Sequence, residues 1–144
     1  MTDARVSWTI GLAAGVAAGV VAAGAALIAA GLVGRSFPEV TPVTIVVAAV
    51  LPNLVGGLFY GLLARRTRHA RLLYAATAVV IGAVYTIVVG AHHPAHPGFM
   101  TLIVPLHTTV TVTSVVVIPT AARWLVAWRA HPSARVRVAA IKRG

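Results

Sequence analysis

Cysteine is absent from all 144 residues, which excludes disulfides, thiolate metal sites and cysteine nucleophiles. Acid is nearly as scarce: Asp3 and Glu39 are the two carboxylate side chains, against twelve Lys and Arg. Neither lies in an apolar stretch. Proton-coupled membrane carriers hold an ionisable group at depth to take up and release the coupling ion. The small multidrug exporters, four-helix proteins that depend on an acid in their first helix, are thus poorly matched by a first stretch of Gly, Ala and Val. The phenylalanine-rich third helix of the small fluoride channels is missing as well. Hydrolytic signatures do not occur: there is no GxSxG, no HExxH, no phosphate-cradling glycine loop and no carboxylate pair. The expectation is a protein that is not an enzyme.

Charge of either sign makes up only 10% of the chain while 59% is hydrophobic. Ordinary soluble domains carry about 25% charged residues, so the composition is that of a membrane protein, and its length suits one domain. Four apolar stretches are predicted as spans, at about residues 8–33, 44–64, 72–91 and 99–124. Each has about 20 residues or more, enough at about 1.5 Å per residue to cross a hydrocarbon core of about 30 Å. Backbone polar groups in lipid must be satisfied within the segment, and the alternation of a β-barrel is missing, so the fold class is all-α: a four-helix transmembrane bundle over residues 1–126. The first span exceeds the apolar core of about 7–15 residues in a signal peptide and is expected to be retained.

The connections carry the orientation. "RRTRHAR" (65–71) holds four Arg and "HHPAHPG" (92–98) no Lys or Arg, while "RSFPEV" (35–40) has one Arg beside Glu39. Eleven of the twelve cations fall on one side of the predicted hairpins, counting Arg5 and the tail after the fourth span. The positive-inside rule then predicts both termini in the cytoplasm. A sequence pI of about 11.9 would suggest nucleic acid in a soluble protein. Flanking apolar spans, the same cations point to anionic lipid headgroups instead. Residues 127–144 read as a basic interfacial tail, with Trp124 and Trp128 at the headgroup level. Eleven Arg to one Lys, with abundant Ala, Val and Gly, suggests a bacterial genome rich in G and C, hence a bacterial plasma membrane.

Small residues recur at every fourth position of the first span, at Gly11, Gly15, Gly19 and Ala23, and again at Gly57 and Gly61. Lipid gives helices no hydrophobic reason to associate, and such faces permit close approach of another helix, of the same chain or of another subunit. The intramembrane polar residues are Asn53, His107, Thr111 and Ser114. Counted from the outer ends of their spans, Asn53 and His107 each lie about 12–14 Å deep, facing one another across the bundle. Pro52 and Pro105 remove helical donors from the carbonyls of Ala48 and Thr101. Thr108, Thr111 and Ser114 are candidates to re-satisfy such groups and to form interhelical hydrogen bonds. His107 is a candidate structural histidine, an axial ligand to a haem or chlorophyll-type pigment, or part of a polar path. His92, His93 and His96 form a candidate metal cluster, since imidazole suits zinc, copper and nickel.

"GLAAGVAAGVV", "LPNLVGGLFYGLLARRTR" and "LIVPLHTTVTVTSVVVIP" together resemble an uncharacterised bacterial family of small four-helix membrane proteins, over about residues 8–126. Pro52, Gly57 and Arg65 match its second-helix pattern and His107 its fourth-helix histidine; Leu106 replaces the usual Met. The resemblance implies the architecture and no activity. The functional expectation is an accessory or scaffold subunit that packs through its Gly/Ala faces against other membrane proteins or itself. The alternatives are a pigment-binding subunit and a homo-oligomeric channel or carrier. No cofactor is called for by the motifs.

Overall fold

A computed structural model describes residues 6–34, 37, 38, 40–92 and 98–130. It is all-helical: α1 Trp8–Val33, α2 Pro42–Arg66, α3 Ala70–His92 and α4 Phe99–Ala130. All four are long and apolar enough to cross a membrane. The helix starts follow from local chemistry. Ser7 accepts from the Ile10 amide at 3.3 Å to open α1. Thr41 and Thr44 form a reciprocal capping box ahead of α2, with Pro42 at its first position. Gly34 ends α1 in the left-handed conformation (φ 65°), its N–H donating to the Ala30 carbonyl at 3.3 Å.

α4 is longer than its hydropathy indicates. It continues past residue 124 to Ala130, taking Trp128 and Arg129 into the helix and out of the expected tail. Ala, Leu and Arg favour helix there, and no breaker occurs before Pro132. Residues 131–144 lie outside the described residues.

Packing is uneven. α1 lies against both α2 and α4, while α3 touches α4 and α2 and makes no contact with α1 among the described residues. Two ridges on α1 account for its position. Gly11, Gly15 and Gly19 meet α2, running antiparallel to it: a Cβ at Gly11 would stand 3.1 Å from Gly61 Cα, and one at Gly19 would stand 3.2 Å from Val50 Cα. The neighbouring ridge of Ala14, Ala18, Ala22 and Ala26 is buried, its first two residues clustering with Ile118 and Ala122 of α4. The Gly11, Gly15 and Gly19 face of α1 is therefore occupied within the chain, Gly11 and Gly15 against the Gly57 face of α2 and Gly19 against Val50. A backbone-to-backbone fit this close maximises dispersion contacts that lipid cannot replace. α3, by contrast, buries only Ala70 and Tyr74.

Candidate functional site

The sparse contact of α3 leaves a groove of about 1000 Å³ between α2 and α3, with α4 as its back wall. Its rim is exposed, Val55 at 67% on α2 and Ile81 at 62% on α3, so the groove opens sideways, toward lipid. Among its lining residues there is no Asp, Glu, Lys or Arg. Polar side chains line it nonetheless: Asn53, Tyr74, Thr77, Tyr85, His107, Thr111 and Ser114.

Asn53 is the one of them with a buried polar atom left unsatisfied among the described residues. It is 1% exposed, its Nδ2 donates to the Ala49 carbonyl at 2.7 Å, and its buried Oδ1 has no hydrogen-bond partner. The bond to a carbonyl settles which end of the amide is nitrogen, so the orphan is an acceptor. Leaving one buried costs about 1–3 kcal/mol. Ala48, whose carbonyl loses its helical donor to Pro52, lines the same groove.

Tyr74 ties α3 to α4. Its hydroxyl and that of Ser114 are 2.5 Å apart, either one donating, and its ring packs edge-on against Tyr60 with centroids 5.5 Å apart. Tyr74 is 2% exposed and Ser114 8%. Further along, the Thr86 hydroxyl donates to the Gly82 carbonyl at 2.8 Å and also lies 2.8 Å from His107 Nδ1. The hydroxyl carries one proton. With that proton on Gly82, the shared bond requires His107 to donate from Nδ1, which leaves Nε2 as a bare lone pair. The ring is also held by Tyr85, at a centroid distance of 5.1 Å.

Asn53 and His107 line one groove but are not level, contrary to the equal depths expected. Ile45 clusters with Leu102, Ile103 and Leu106, and a Cβ at Gly56 would touch Ile118. That pairing of α2 with α4 sets Asn53 near the level of residues 112–115 and leaves His107 at least about five residues, or ~8 Å, nearer the start of α4. The equal-depth estimate counted from helix ends, and the two helices begin at different levels. Of the two roles expected for the hydroxyls, Ser114 takes the interhelical one, bonding to Tyr74 of α3, while neither Thr108 nor Thr111 bonds to a backbone carbonyl.

For a haem-type macrocycle the groove provides one imidazole nitrogen and, among its lining residues, no cation to meet acidic side groups. It suits a neutral guest better. Of the expected metal cluster, His92 caps α3, its Nδ1 2.8 Å from the Val88 carbonyl; His93 and His96 lie outside the described residues. The sequence predicted the third span but offered none of its residues as a site candidate. Tyr74, Thr77, Ile81, Gly82 and Tyr85 recur at helical spacing, and that mixed face was the available signal.

The fold and groove define a class: a multi-pass helical membrane protein with a laterally open, uncharged groove. Compared with protein-family models, curated proteins and solved structures, the chain finds no match.

Proposed function

We propose that this is a non-catalytic accessory subunit of a bacterial plasma membrane, and that its working surface is the α2–α3 groove, which holds an apolar molecule taken from the bilayer. The observation behind this reading is a cavity of about 1000 Å³ lined without any charge and open at the level of the lipid. Ligand sites are typically concave, mostly apolar and furnished with a few polar groups, as this groove is. Native mass spectrometry after gentle extraction tests the reading. The 14.8 kDa chain is expected to retain a small neutral adduct, which Ile81→Trp should abolish by plugging the groove from an exposed position. A bare chain in both cases overturns the groove reading, and co-purifying polypeptides would identify the company the subunit keeps.

Both termini are proposed to lie in the cytoplasm, on the strength of the four Arg of residues 65–71 and the basic tail. A chain without cysteine suits a labelling test. A single cysteine replacing Arg68 or Arg129 should react with a membrane-impermeant maleimide only in inverted vesicles, and one replacing Pro38 only in intact cells. The opposite pattern reverses the topology.

A further inference from the structure

Given the groove reading above, on which this rests, its polar groups specify the chemistry of the guest. Gly56 stands against the Tyr74 hydroxyl, so the antiparallel run of α2 and α3 sets Asn53 level with Thr77. Asn53 and Thr77 therefore share one level of the groove, and the Tyr74–Ser114 pair lies about one helical turn away, level with Gly56. These levels fall at the middle of α2, which runs from Pro42 to Arg66.

Proton counting in the groove is informative. Asn53 Oδ1 lacks a donor. Tyr74 and Ser114 share one hydrogen bond but own two hydroxyl protons, so one proton is left over, and the Thr77 hydroxyl makes no hydrogen bond within the described residues. An acceptor in want of a proton thus lines the same groove as hydroxyls in want of an acceptor. A carbonyl or an ether oxygen answers only the second need and an ammonium only the first, whereas one hydroxyl answers both. Depth and charge narrow the choice further. A zwitterionic or anionic headgroup at mid-membrane would have no countercharge among the lining residues. A lone hydroxyl can leave the headgroup layer at far lower cost.

We infer that the groove binds a neutral, hydroxyl-bearing hydrocarbon of the bilayer, with the guest's O–H donating to Asn53 Oδ1 and its oxygen accepting from the Tyr74–Ser114 pair or Thr77. The hydrocarbon body lies along the apolar wall formed by Leu51, Val55 and Ile81, and entry is lateral. His107, nearer the start of α4, faces the body of the guest and takes no part in recognising its hydroxyl.

The test uses the full chain in detergent micelles, titrated with farnesol and separately with farnesyl methyl ether, with occupancy read by native mass spectrometry. The two probes share the hydrocarbon and differ in the single donor. Farnesol is expected to bind about tenfold more tightly or better, the worth of one buried hydrogen bond to the guest. Asn53→Leu should bring the alcohol down to parity and leave the ether unchanged. Should that variant fail to fold, Ser114→Ala combined with Thr77→Val, which leaves Asn53 in place, should still narrow the gap. Equal binding of both probes to the wild-type chain overturns the donor assignment and means that water satisfies Asn53. Binding of neither probe overturns the groove reading itself.

Discussion

Gly57→Leu is expected to force α1 away from α2 and destabilise the bundle by at least about 3 kcal/mol, the upper part of the range for overpacked interiors. Even a methyl group has no room. A Cβ at Gly57 would overlap the Gly11 carbonyl oxygen and stand 2.7 Å from Gly15 Cα and 2.8 Å from Gly15 N. All of these are backbone atoms, which no rotamer change can move aside. Gly24→Leu is the matched control on the same bundle, because a Cβ there meets nothing within 4 Å. Exposed to lipid, it should be neutral or slightly stabilising, since glycine inside a helix costs about 0.8–1.0 kcal/mol relative to alanine. Unfolding in mixed micelles followed by circular dichroism separates the two. If both variants unfold alike, α1 and α2 do not meet through their glycines, and those faces are again open to other subunits.

The sequence left both partners open for these faces, a helix of the same chain or one of another subunit. Small residues at every fourth position show that something approaches closely, and periodicity carries no record of what. The pairing of Gly11 and Gly15 with Gly57 is a tertiary fact. Span positions, by contrast, were legible from hydropathy alone, because length and apolarity are local properties; α1 begins and ends where its composition says. Depth was legible only in part. Asn53 and His107 were both recognisable as intramembrane polar groups, but their levels depend on how α2 and α4 are staggered, which helix ends do not disclose. The groove itself was not visible in any single segment. It exists because α3 has so few residues that pack inward, and the want of a partner at Asn53 Oδ1 is a property of its neighbours on three helices. Sequence reading finds the candidates; satisfaction is decided by what stands opposite.

The weak hold on α3 makes Tyr74→Ala the second large effect. Tyr74 and Ala70 are the only buried residues of α3, so this side chain is its buried peg, and the half-buried Thr86–His107 bond is a second tie further along. The ring lies between Tyr60 at 5.5 Å and Phe59 at 6.5 Å, and such aromatic pairs are worth about 0.5–1.5 kcal/mol each beyond their contact area. The Ser114 bond adds an interhelical hydrogen bond, which in membrane proteins averages about 0.6 kcal/mol and reaches about 1.7. Truncation removes all three contacts and opens a void beside Ile118, for a combined loss of about 2–4 kcal/mol. Tyr74→Phe keeps the ring and should lose only the hydrogen bond, within about 1.7 kcal/mol. Because α3 has no contact with α1, the damage should remain local. Amide hydrogen exchange is expected to accelerate along α3 in Tyr74→Ala while α1 and α2 stay protected. Uniform acceleration across all four helices would mean that α3 is held by more than this peg, and that the groove beside it is stiffer than its few contacts imply.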